Sequence, residues 1–84
     1  MEYDLAVFKS RTQTLRFYER CKALRIPAEV VNTPRQASLG CGLSVKFPHA
    51  ALPAVRRLLG MDNYYSFGGL FSLGPRGSVR PLRA

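Results

Sequence analysis

One cysteine stands between two glycines, Gly40-Cys41-Gly42, at the end of the run NTPRQASLGCG over residues 32–42. A thiol reacts as its thiolate, whose ordinary pKa is about 8.5 and falls beside cations or a helix N-terminus. The flanking glycines remove side chains from beside the sulfur and let backbone N–H groups turn toward an anion. Arg35 adds a cation to the same run, and Ser38 adds a hydrogen-bond donor. The chemistry this favours is that of a reactive thiol. Apolar runs on both sides read as strands. A connection this long between two short strands exceeds the usual hairpin, and it reads as a device for presenting Cys41.

The elements that must position this loop follow from periodicity. Residues 3–8 (YDLAVF) form a continuous apolar run, a buried first strand. Ser10 or Thr12 caps a helix over 11–24, where Thr14, Phe17, Cys21 and Leu24 recur at helical spacing. The helix ends before Pro27. Residues 28–31 make a second strand. Residues 43–47 (LSVKF) alternate with period two and make a third. A second helix covers 50–59, with Pro53 in its first turn and Gly60 as its stop. Residues 64–73 (YYSFGGLFSL) read as a last strand, weakened or bulged at Gly68-Gly69.

The order β-α-β-β-α-β packs most economically as α+β: a four-stranded antiparallel sheet with both helices on one face, the ferredoxin-like arrangement. The expected domain is 1–73, followed by a basic tail over 74–84 that reads as disordered. In that topology the first and third strands are central neighbours. Cys41 then falls near the start of the first helix, at Ser10, Arg11 and Thr12, and Arg11 joins Arg35 as a source of positive charge. The turn with Tyr64 and Tyr65 reaches the same edge.

Composition narrows the classes. Eighty-four residues make one small domain. The net charge of +8 favours acidic partners, nucleic acid or anionic ligands. No basic leader with an apolar run opens the chain, and no stretch approaches a membrane span, so the expectation is a cytoplasmic protein without a membrane partner. Two cysteines do not make a disulfide framework. Cys21, on the apolar face of the first helix, reads as a small buried hydrophobe. No metal and no cofactor is expected: one histidine, His49, and two separated cysteines lack zinc spacing. No carboxylate pair is placed for acid–base work, and no phosphate-binding glycine loop occurs.

The segment PRQASLGCGLSVKF resembles the central motif of the DUF3343 family, described as selenium/sulfur carrier proteins. Pro34, Arg35, Ser38, Cys41 and Gly42 match its pattern of Pro-Arg, a serine-containing stretch, then Cys-Gly leading into an apolar strand. The preceding VFKSRTQTLRFYERCKALRIPAEVV is similar to the family's strand, Ser/Thr-initiated helix and second strand, so the likeness spans roughly residues 3–73. Leu39-Gly40 departs from it, since polar residues usually precede the cysteine, and the arginine-rich tail is extra. The resemblance implies a carrier rather than a stand-alone enzyme. Cys41 would accept sulfur or selenium from a donor enzyme and pass it to an acceptor protein, with Arg35, Ser38, Gly40, Gly42, Ser10, Arg11 and Thr12 around it.

Two alternatives belong to other classes. RNA-recognition modules share this element order, and the charge suits them, but the third strand offers only Phe47 as an aromatic platform. A non-catalytic interaction or regulatory domain is the other. Its helix-free sheet face, expected to expose Phe47 or Phe67, would need a cover, and a homodimer would supply one.

Overall fold

The computed structural model describes residues 2–38 and 42–82. Seven main elements follow in chain order: strand β1 (Tyr3–Phe8), helix α1 (Arg11–Ala23), strand β2 (Glu29–Asn32), strand β3 (Leu43–Pro48), helix α2 (Leu52–Met61), strand β4 (Phe67–Leu73) and strand β5 (Val79–Pro81). Short 3-10 turns precede β3 (Arg35–Ala37), α2 (His49–Ala51) and β5 (Pro75–Gly77). The strands form one antiparallel sheet in the order β2-β3-β1-β4-β5.

The sheet has five strands where four were expected. Val79, Arg80 and Pro81, placed by composition in a disordered tail, pair with Leu73, Ser72 and Phe71. The Leu82 amide also donates to the Leu70 carbonyl at 2.8 Å. The reason is local: Gly77, at φ 75°, lets the chain reverse after β4, and Val79 then packs on Leu73 and the second core described below. Composition alone misses this because a three-residue strand adds little periodicity.

β1 lies at the centre, between β3 and β4. Leu5, Ala6, Val7 and Phe8 are all fully buried, so both faces of this strand are covered. Ala6 and Phe8 face the helices, in a core with Phe17 and Cys21 of α1, Val55 and Leu58 of α2, and Val45 and Phe47 of β3. Phe8 meets Phe17 and Tyr64 with ring centroids 5.1 and 5.5 Å apart. Such pairs add about 0.5–1.5 kcal/mol each beyond area burial. Leu5 and Val7 point the other way, into a second core with Ala37 and the half-buried Val31, Phe71, Leu73 and Val79.

This second core corrects the expected exposed sheet face. Phe47 is 1% exposed and belongs to the helix-side core. Phe67 is exposed as expected, at 38%, but it leans on that side too, edge-on to Phe8 at 5.5 Å. The helix-free face is covered by the chain's own connection between β2 and β3, through Ala37 at 2% exposure. Thr33 anchors the connection. Its amide donates to the Gly42 carbonyl at 2.9 Å, and its hydroxyl donates to Ser44 Oγ at 3.2 Å.

Local signals set the helix ends. Ser10 caps α1, its hydroxyl oxygen accepting the Gln13 amide at 3.2 Å. At the far end the Arg25 amide donates to the Lys22 carbonyl and the Ile26 amide to the Cys21 carbonyl. This is a Schellman ending whose left-handed position holds Arg25, φ 58°, instead of the usual glycine. That choice costs about 1–2 kcal/mol of backbone strain. α2 starts at Leu52 and runs through Gly60 to Met61, so Gly60 is not the expected stop. At the β1–β4 pairing the register shifts between Val7 and Phe8, whose partners are Gly69 and Phe67, leaving Gly68 as the extra residue of the expected bulge.

Ala37→Asp should place a carboxylate against Leu5 and Val7. Denaturant unfolding should show a loss of about 1–3 kcal/mol, and amide exchange should quicken at residues 33–38 and 44.

Candidate functional site

Cys41, the thiol around which the sequence reading turns, and Gly40 lie outside the described residues. The structure describes the residues that precede and follow them in the chain. Gly42 is exposed, and a β-carbon built on it would meet nothing within 4 Å. Its carbonyl is held by the Thr33 amide at 2.9 Å, which fixes where β3 begins. Ser38 and Arg35 are both exposed, the Ser38 amide donating to the Arg35 carbonyl at 3.2 Å across the 3-10 turn.

The expected corner has its backbone parts in place. β1 ends at Phe8 and α1 starts at Arg11, while β3, antiparallel to β1, starts at Leu43. The ends therefore share one edge of the sheet, since Val7 pairs with Ser44. Ser10 spends its hydroxyl on the cap, and Arg11 and Thr12 are exposed in the first turn. Arg35 and Ser38 are carried by the cover on the helix-free face, whereas Ser10, Arg11 and Thr12 open the helix on the other. Among the described residues no hydrogen bond or ion pair joins these two groups. The turn before β4 does reach this edge, because the Lys9 amide donates to the Ser66 carbonyl at 2.8 Å.

The sequence reading missed what locks that edge. The Gln13 side chain, 5% exposed, accepts the Ser66 amide at 2.9 Å through Oε1 and accepts the Ser66 hydroxyl as well. A buried glutamine in a first helical turn offers no signal in sequence, because its partner lies 53 residues away. A second link runs along α1. Arg20 Nε donates to Asp62 Oδ2 at 3.0 Å, and the Tyr64 hydroxyl donates to the same oxygen at 3.0 Å. Arg16 stacks on the Tyr64 ring at 5.2 Å. The Arg20 hydrogen bond, then that of Tyr64, holds the Asp62 carboxyl below its usual range. Burial, then the bond to Asp62, pushes the Tyr64 hydroxyl up to about 12.

Asp4 was also missed. It is 1% exposed, and His49 Nδ1 meets its Oδ2 at 2.7 Å, so His49 partners a buried carboxylate rather than capping α2. The parity of YDLAVF signals the burial of Asp4, which shares the helix-side face of β1 with Ala6 and Phe8, but not its partner. Among the described residues no three His, Cys, Asp or Glu side chains gather to hold a metal ion, and no helix is long and apolar enough to cross a membrane.

The other cysteine is unsuited to exchange. Cys21 is fully buried among Phe17, Val45 and Leu58, and burial pushes its thiol up from 9.0 to about 11. Phe47 has no exposed ring for a base to stack on.

Two predictions follow from these contacts. Gln13→Ala should leave the Ser66 amide and hydroxyl without their buried acceptor and cost about 1–3 kcal/mol, read by denaturant unfolding. The folded chain holds the Cys21 proton more tightly than the unfolded chain, so its contribution is full below pH 9 and is lost as pH rises toward 11. The stability gap between the wild type and Cys21→Ala should therefore shrink over that interval, measured as urea midpoints.

A family model described as "Putative Se/S carrier protein-like" matches residues 2–68, a span that runs from β1 through the Cys41 loop and both helices into β4. No curated protein and no solved structure matches the chain. With most of its length inside that match, the chain belongs to the Se/S carrier protein-like family.

Proposed function

We propose that the protein carries sulfur or selenium on Cys41. The observation that carries this reading is the burial of the only other cysteine. Of two thiols in a carrier-like family member, Cys21 is sealed in the helix-side core with its pKa pushed up to about 11. Cys41 belongs to the connection that the family match includes, between Ser38 and Gly42, both exposed. The cytoplasm, which keeps thiols reduced, suits such a role. The strand order β2-β3-β1-β4 with both helices on one face supports reading the body as a ferredoxin-like unit to which β5 is added.

In the transfer the Cys41 thiolate attacks the terminal sulfur of a donor persulfide. The new S–S bond forms as the donor's S–S bond breaks, and the donor sulfur leaves as its thiolate. The Cys41 persulfide then gives its outer sulfur to an acceptor thiolate in the same manner, so no net oxidation occurs. Selenium in the outer position would follow the same course. Arg35 and the α1 start, with Arg11 and the free amides of its first turn, are the groups assigned to favour the anion. Gly42 is exposed, with open space where a side chain would stand.

Incubation with a cysteine desulfurase and free cysteine, followed by mass spectrometry, tests the reading. The wild type and Cys21→Ala should gain one sulfur at Cys41, and Cys41→Ser should gain none. Absence of added sulfur on the wild type, or equal loading of Cys41→Ser, would overturn it. Alkylation of Cys41 should titrate below the ordinary thiol pKa of about 8.5 and shift upward in Arg35→Ala.

A further inference from the structure

We infer that the groove between the end of α1 and the length of α2 docks an acidic, apolar-faced helical segment of a partner protein. The inference stands apart from the carrier reading, because the groove lies at the opposite end of α1 from the Ser10–Arg11 start, where β3 also begins. Thirteen helical residues separate the two by roughly 20 Å.

The groove is made of two adjoining hollows of about 480 and 260 Å³ that share Leu24, Ile26 and Ala54. Its floor is aliphatic, with the buried Ile26 and Leu58 and the half-buried Ala51. Leu24 and Met61 stand on its rim, 45% and 60% exposed, the most open large aliphatic side chains among the described residues. From Ala51 to Met61 it runs about 15 Å along α2, the length of two to three turns of a partner helix.

Charge names the occupant. Arg25 rims one end of the groove and Arg57 the other, both exposed, and no acid lines either hollow. Among the described residues neither arginine has an acidic partner. The neighbouring cations of α1 are differently placed, since Arg20 is paired with Asp62 and Lys22 with Glu19. Two unpaired arginines bordering an aliphatic trough suit a helix with leucine-like residues on one face and carboxylates beside them. A second copy of this chain is a poor occupant, because it has a net charge of +8 and only five acids. Nucleic acid is poorly matched too, since no aromatic ring lines the groove for stacking.

Arg25 supplies an independent sign. It occupies the left-handed position that ends α1, φ 58°, where glycine would avoid the strain. An arginine kept there gives up folding stability and places a guanidinium at the mouth of the groove.

The test uses the full chain, isotope-labelled, titrated with a short helical peptide bearing leucines on one face and glutamates along both flanks. Saturable amide shifts are expected at Leu24, Ile26, Ala51 and Ala54. Arg25→Gly should melt at a higher temperature than the wild type and bind the peptide about two- to fivefold more weakly. Arg57→Glu should weaken it further, and Ala54→Trp should block it. Four results would overturn the proposal: no binding, equal binding of a lysine-flanked peptide, binding unchanged in Arg57→Glu, or stronger shifts at these residues with single-stranded RNA or anionic vesicles.

Discussion

A strand that is apolar on both faces needs two covers, and this chain has only two helices to offer. Leu5, Ala6, Val7 and Phe8 form an unbroken apolar run, and β1 lies between β3 and β4. In an antiparallel sheet one face is commonly solvated, and the strands alternate accordingly. β1 does not alternate. Both helices are committed to the Ala6–Phe8 side, where Phe8, Phe17 and Tyr64 pack ring against ring. Leaving Leu5 and Val7 in water on the other side would forfeit about 1.5–3 kcal/mol for each side chain. The connection between β2 and β3 therefore lies down over them, and β5 extends the same apolar surface with Val79.

That constraint links the fold to the candidate chemistry. The connection that covers the second core is also the one that contains Cys41. Ala37 is buried beneath it while Arg35, Gln36 and Ser38 remain exposed, so one short segment has a packing side and a solvent side. Its length, which exceeds a hairpin's requirement, thus has two causes. One is the reach needed to cross the face of β1, and the other is the presentation of polar groups on the outside. The two cysteines differ in setting: Cys21 fills volume in the helix-side core, and Cys41 belongs in sequence to the connection between β2 and β3.

What the sequence makes legible depends on how far apart the interacting residues are. β1, α1 and β3 carry their own periodicity and cap, so their existence, order and near-exact ends are readable from YDLAVF, Ser10 and LSVKF. The bulge at Gly68-Gly69 is readable for the same reason. The fifth strand is not, because Val79, Arg80 and Pro81 gain their conformation only from pairing with β4. The side of Phe47 is half-readable. Alternation places it with Val45, but only the register to β1 shows which face the helices take. For the site, the loop and its charged residue types are visible in the string. Gln13–Ser66 and Asp4–His49 are not, since each joins residues more than forty positions apart.

The end of α1 shows the same logic at the scale of one residue. A Schellman turn asks for a left-handed residue, and glycine is the residue that meets this without strain. Arg25 meets it with strain while Ile26 still seats itself against Cys21 in the core. Folding therefore fixes the turn but does not explain the side chain. The covering connection has the same division, with Ala37 answering to the core and Arg35 answering to nothing inside the described protein. In a chain this small most positions serve packing, and at Arg25 the fold holds the backbone in a strained conformation while the side chain stays outside the core.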